Sequence, residues 1–342
     1  MFRWTRGGSE DRWHFPSRRG AHEWWGFEAL DRDAELSFAL RIAAGDPMDP
    51  RYSASLARES QPSASRPDRH ILVRVVAYHK GRRLLAQSFR PAPDRFAASA
   101  TSGAVRAGSA RVTIEETAAG RSYHLEIEPG TRLRFDGPPG QSAASGPLQK
   151  PVWDLAPLGL KVSGILRIRD GGRSRDLPFY GRGVHDHGFS PTSPDPDIRA
   201  WAWGWAHAQE FAVAWRQVIG TNGKTETLLL VDRGNEPFIG ETVRSRPFRT
   251  RYSLLGIPYR RHWRLDASPG AGLAVEKKWT LASSPLGMRF FTNVRFSVQD
   301  PAGRLRLVEG VGLSSVARPQ RLRVPPLRWM TLAREFWTSH HS

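Results

Sequence analysis

Residues Tyr180–His207 read YGRGVHDHGFSPTSPDPDIRAWAWGWAH. A glycine-flanked His185-Asp186-His187 cluster stands near one end, and three tryptophans at alternate positions stand near the other. Side chains on a strand alternate between faces. Trp201, Trp203, Trp205 and His207 are therefore expected on one face, and Ala200, Ala202, Gly204 and Ala206 on the other. By the same rule His185 and His187 share a face, with Asp186 opposite. The Pro/Asp/Ser run Ser190–Ile198 reads as a loop across which the two elements face each other.

Working outward, strand signals recur at short intervals. Ile71–His79 and Leu84–Phe89 flank Lys80-Gly81-Arg82, and Ser122–Glu128 follows Arg111–Glu116 across Ala119-Gly120; both read as hairpins. Gly159–Arg169 and Arg173–Tyr180 pair around Asp170-Gly171-Gly172. Asn222-Gly223 is the best turn in the chain, because both residues tolerate the positive φ of a two-residue hairpin loop. Trp25, Phe27 and Ala29 can line one strand face near the start. Only Leu327–Trp337, after Pro325-Pro326, reads as helix. Many short strands and little helix predict an all-β protein. A chain of 342 residues has room for two domains. The expected division is a basic lead-in over 1–21, one domain over 22–190 and a second over 191–342.

Hydrophobic content of 39% with 13 Trp and 16 Phe argues for folded protein. The formal charge of +18 is carried mostly by arginine. It has two readings: contact with an anionic partner such as a phospholipid surface, or a genome that favours arginine codons. The basic residues alternate through strands and form no compact run, and no zinc-finger or RNA-recognition signature is present. Specific nucleic-acid binding is therefore not expected. With no cysteine, disulfides, thiolate catalysis and cysteine-ligated metals are excluded. The N-terminus lacks an apolar core of signal-peptide length, and no apolar run approaches a membrane span. A cytoplasmic protein, resting on membrane at most peripherally, is the expectation.

Four segments stand out together: His22-Glu23-Trp24-Trp25-Gly26-Phe27-Glu28-Ala29-Leu30, Gly45-Asp46-Pro47-Met48-Asp49-Pro50-Arg51-Tyr52, Trp153-Asp154-Leu155-Ala156-Pro157, and Gly181–His187 with Trp201-Ala202-Trp203. With them the chain resembles the carotenoid 1,2-hydratase (hydroxyneurosporene synthase) family. The match runs in order over about residues 22 to 207. It implies two tandem lipocalin-like antiparallel β-barrels with little helix. It also implies water added, without redox chemistry or cofactor, to a double bond of an acyclic isoprenoid lipid. The family's acidic residue falls on Asp186 and its neighbouring tryptophan on Trp153. Three positions depart from the family: Pro151 stands for a histidine, Val184 for a tyrosine and Gly188 for an asparagine. The departures leave a non-catalytic lipid-binding protein, or a related cyclase or isomerase, as alternatives.

Alkene hydration needs a strong proton donor, stabilisation of a tertiary cation and a guided water. Asp186 in an apolar pocket is the candidate acid. His185 and His187 are candidates to orient water or return the proton. Trp153, Trp201, Trp203 and Trp25, with Tyr180 and His207, are the candidate substrate contacts, since indole faces attract cations. Each tryptophan also reads as barrel core, and Asp186 also reads as a partner of Arg182. Glu23 and Glu28 read as partners of arginines. A three-histidine metal site from His185, His187 and His207 is spaced for zinc, but two-residue alternation is a weak signal and no metal is expected.

Overall fold

In a computed structural model of the chain, residues 3–6, 11–14, 18–57, 65–139, 152–170, 173–192, 198–233, 236–239, 242–268, 270–299 and 304–331 are described. The protein is mostly β, with two large curled antiparallel sheets forming barrel-like folds. It divides between Asp195 and Pro196 into two compact units.

The first unit begins with β1 (Arg3–Arg6), β2 (His22–Asp31), β3 (Leu36–Ala44), β4 (Ile71–His79) and β5 (Arg82–Phe89). Next come β6 (Phe96–Ala98), β7 (Val105–Ala107), β8 (Ala110–Thr117), β9 (Gly120–Ile127) and β10 (Thr131–Gly137). It closes with β11 (Val152–Leu155), β12 (Leu160–Asp170) and β13 (Arg173–Ser190). The strand order is β5-β4-β3-β2-β13-β12-β10-β9-β8-β7-β6. β11 pairs with the far end of β13, and β1 adds to β11 in parallel. The long strand β13 thus has β2 along one edge, and β12 followed by β11 along the other.

Turn chemistry accounts for the hairpins. Lys80 and Gly81 both adopt positive φ between β4 and β5, as a tight hairpin turn requires. A short helix, α1 (Pro50–Leu56), starts with Asp49 as N-cap and Pro50 just inside. The odd-numbered positions of β2 enter the core: Trp25, Phe27 and Ala29 pack with Phe38, Leu40, Val73, Tyr123 and Phe135. Fully burying each such aromatic side chain is worth about 1.5–3 kcal/mol.

The second unit contains β14 (Ile198–Ala208), β15 (Phe211–Gly220), β16 (Thr225–Arg233), β17 (Glu236–Ile239) and β18 (Thr242–Tyr252). β19 (Pro258–Ser268), β20 (Ala271–Ser283), β21 (Gly287–Gln299) and β22 (Leu305–Ala317) follow. The order is β17-β16-β15-β14-β22-β21-β20-β19-β18, and β16 comes against β18, curling the sheet. Asn222-Gly223 does turn the chain, but not as a two-residue loop. Gly220 N–H bonds the Lys224 carbonyl, and only Gly223 takes a positive φ; the Asn222 side chain instead accepts from Lys224 N–H. This is the three-residue loop with glycine at its left-handed position.

The core of this barrel reverses the expectation for β14. Ala206 and Ala208 face Phe211, Val213 and Trp215 in the interior, and Trp215 lies over Gly204, where a Cβ would meet its ring at 2.4 Å. The small residues face this interior, and Trp201, Trp203 and Trp205 stand on the other face, where Trp205 is nonetheless buried as core while Trp201 and Trp203 are half-buried. Residues 325–331 are helical; the rest of the predicted terminal helix and most of the predicted loop at 190–198 lie outside the described residues. No helix among the described residues is long and apolar enough to cross a membrane.

Candidate functional site

Strand β13 carries its chemistry on two faces. His185 pairs across to Phe27, Asp186 to Gly26, and His187 to Trp25. His185 and His187 therefore enter the aromatic interior with Phe27 and Trp25, whereas Asp186 lies on the opposite face with Trp24.

Asp186 is 7% exposed. Its Oδ2 accepts from the indole N–H of Trp24 at 2.8 Å and from that of Trp153 at 3.2 Å. Register explains the meeting: Trp24 and Trp153 both pair with Gly188, one from each side of β13. Gly188 leaves room for the Trp24 ring, which would lie 2.0 Å from a Cβ there. Gly26 does the same for the carboxylate, since its Cβ would meet Asp186 Oδ1 at 2.2 Å. Oδ1 accepts no hydrogen bond among the described residues. Arg182 does not pair with Asp186; it donates to the Gly159 carbonyl.

On the interior face the N-terminal segment supplies what the strand lacks. Asp11, Trp13 and His14 fall in the stretch read as a basic lead-in, and Asp11 and Trp13 are buried. His185 Nδ1 donates to the Gly26 carbonyl at 2.8 Å, and Nε2 meets Asp11 Oδ1 at 2.8 Å. With acceptors at both nitrogens, the ring carries both protons. Asp11 Oδ2 also accepts from Arg121 and from the Tyr123 hydroxyl. Burial pushes the Asp11 carboxyl up, but His185, His187 and Arg121 outweigh it and hold it below the usual range. Burial likewise opposes the His185 charge, and Asp11 reverses this, so its pKa is raised. Tyr123 is pushed well above the usual phenol range by burial and then by Asp11.

Glu23 forms the second half of this network. Its Oε1 meets His187 Nε2 at 2.9 Å and His14 Nδ1 at 3.0 Å, and its Oε2 accepts the His14 backbone N–H. Burial raises its carboxyl, but the two histidine hydrogen bonds win and hold it low. The arginine partner expected from the sequence is replaced by imidazoles. His187 stacks on Trp25 and lies beside His14 and Phe189. Among the described residues its Nδ1 has no hydrogen-bond partner, and it lies 4.0 Å from Asp11 Oδ1. The ligand atoms of His14, Glu23 and His187 lie within 4.8 Å of one another, compact enough to hold a metal ion. This set is not the His185/His187/His207 combination, whose third member belongs to the second unit.

The remaining sequence-derived candidates scatter. Trp25 is core, stacked on Trp13 and donating to the Asp11 carbonyl. Tyr180 is 66% exposed. Trp201, Trp203 and His207 belong to the second unit, where Trp201 lines a cavity. Asp11, His14 and Tyr123 were not singled out in the sequence. The signal for the first two was an aromatic and acidic cluster, Asp11-Arg12-Trp13-His14, inside a polar run.

No family model matches the chain, and no curated protein does. Solved structures share its fold. An AttH-like protein from Nitrosomonas europaea superposes with a TM-score of 0.57 at 17% identity, covering 90% of this chain and 97% of its own. CghA with Sch210972 gives 0.57 at 12%, covering 91% and 97%. Kievitone hydratase from Nectria haematococca gives 0.50 at 12%, covering 91% and 92%. At these identities the likeness is one of fold, and the fold these chains share is the one this chain adopts over nine-tenths of its length.

Proposed function

We propose that the chain is a hydratase-like enzyme that adds water to a double bond of an acyclic isoprenoid lipid, with Asp186 as its proton donor and acceptor. The observation that carries this reading is the hydrogen bond from Trp153 to Asp186. These are the two residues that the family resemblance marks, and they lie far apart in sequence. One of the chains sharing the fold is by name a hydratase, which supports the same class of reaction.

The chemistry follows from the two oxygens. Oδ2 is held by two indole N–H groups, so it serves as the carbonyl-like acceptor. Oδ1 is the oxygen left to carry the proton. Transfer of that proton to an alkene carbon leaves a tertiary cation and a carboxylate. Water adds to the cation and its proton returns to Oδ1, so one water is gained and the acid is restored. The indole donors stabilise the carboxylate formed midway. His185 and His187 lie on the other face of β13, and in this reading they hold the strand in place. The basic surface suits contact with the anionic membrane in which such a lipid is dissolved.

The test is incubation of the purified protein with lycopene or neurosporene, followed by mass spectrometry for a product with one added water. Asp186→Asn keeps an oxygen for both indoles but cannot supply the proton. Turnover is expected to fall about 10²–10⁴-fold. Unchanged turnover removes Asp186 from the mechanism, and absence of product from the native protein removes the reaction.

A further inference from the structure

The second unit holds a cavity of about 140 Å³ whose lining includes four cations, Arg199, Arg260, Lys277 and Arg318, and, among the described residues, no carboxylate. Lys277 continues the inward row Leu273, Val275 along β20 and is 7% exposed. Its Nζ lies 4.4 Å from the centroid of Phe290 and 5.7 Å from that of Tyr259. Among the described residues it has no hydrogen-bond or carboxylate partner.

An ammonium withdrawn from water loses several kcal/mol unless it is paired. Aromatic faces return only about 0.5–2 kcal/mol. Burial, and then Arg260, push the Lys277 amine down to about 7. The neighbouring cations do not relieve it. Among the described residues Arg260 reaches only the Gln217 amide oxygen, and Gln217 is itself fixed by Thr227 and Ser245. Arg318 has a buried Nε with no hydrogen-bond partner among the described residues. Ser245 also accepts from the Trp263 indole, so the polar lining is a built structure that presents cations to the cavity.

We infer that this cavity binds a small organic carboxylate, with its acid group against Lys277, flanked by Arg260 and Arg318, and its apolar body against Tyr259 and Trp263. A cavity of this volume holds about one benzene ring, which sets the size of the body. Lys277 sits among rings and can pair with one negative charge, which favours a carboxylate over a more highly charged group. The inference rests on the second unit alone and is independent of the hydration chemistry of the first.

The experiment titrates the full chain with benzoate, benzyl alcohol and phenyl phosphate, following tryptophan fluorescence and heat. Benzoate is expected to bind at least about tenfold more tightly than benzyl alcohol, as a charge-assisted contact implies. Lys277→Met is expected to erase that preference and to raise the melting temperature, because it removes an unpaired buried charge while conserving volume. Equal binding of benzoate and benzyl alcohol, no binding of either, or a preference that survives Lys277→Met overturns the proposal. Tighter binding of phenyl phosphate than of benzoate overturns the carboxylate assignment.

Discussion

Inside the first barrel Asp11 meets His185 and Arg121, and Glu23 meets His14 and His187. Inside the second, Lys277, Arg260 and Arg318 meet aromatic rings, one amide and each other's fields. Both interiors bury charge, but among the described residues the first brings its own counter-charges, whereas the lining of the second's cavity holds no carboxylate. The counter-charges come partly from the N-terminal segment, which Asp11 and Glu23 fasten to the barrel. The contrast teaches that buried polarity has two uses. A network with internal partners fixes the structure and needs no guest, whereas a one-signed cluster is complete only with one.

The sharpest way to break this comparison is to remove a counter-charge from the first barrel. Asp11→Asn leaves the His185 imidazolium and Arg121 facing a neutral amide. Breaking a buried pair from one side costs about 3–5 kcal/mol. The expected result is faster amide exchange along β2 and β13, with the second unit unaffected. Lys277→Met should move the second unit in the opposite sense. If Asp11→Asn leaves exchange in β2 and β13 unchanged, the first interior is not held by its charges.

A second prediction uses pH. His22 is buried, and burial, opposed by Asp46 and aided by Arg41, lowers its pKa to about 4. Between about 6.5 and about 4 the unfolded chain binds this proton and the folded one does not. Stability is therefore lost as pH falls through that window, by about 3 kcal/mol at most. Asp11 and Glu23, held low, add losses as pH falls further. His185, held high, acts with the other sign: its contribution is full below about 6.5 and is lost as pH rises through its folded value. Urea midpoints of native protein and His22→Gln across this range check the term. An equal acid loss in both proteins refutes it.

The fold was legible where local chemistry and the tertiary outcome agree. Lys80-Gly81 announces its turn, and Trp25-x-Phe27-x-Ala29 announces its inward face. The alternation of His185, Asp186 and His187 also gave the correct opposite faces. Trp201 and Trp203 misled because size suggested core, while the barrel interior at that strand is crowded by Trp215 and takes the small residues; Trp205 is buried as expected, but on the opposite face. Asp11 and His14 were hidden because their segment has no strand periodicity to announce burial against a distant strand; the cluster with Trp13 was the one mark it carried. Lys277 did leave a mark: it breaks the apolar parity of Leu273 and Val275. Such a break at an inward position signals either strain or a ligand.

The smallest expected effect tests how evenly the first network shares its load. Tyr123 donates to Asp11 Oδ2 at 3.2 Å, and Arg121 donates to the same oxygen at 3.3 Å. Tyr123→Phe keeps the ring, which packs edge-on against Phe27, and removes only the hydroxyl. Asp11 retains His185 and Arg121, so no buried charge is stranded. The loss should be about 1 kcal/mol, the net value of one hydrogen bond, read as a small shift in the urea midpoint. Combined with Asp11→Asn, the two losses should add to less than their sum, because the hydroxyl has no carboxylate left to serve. Strict additivity would mean that the phenol acts through packing alone and that the carboxylate is held by its two cations.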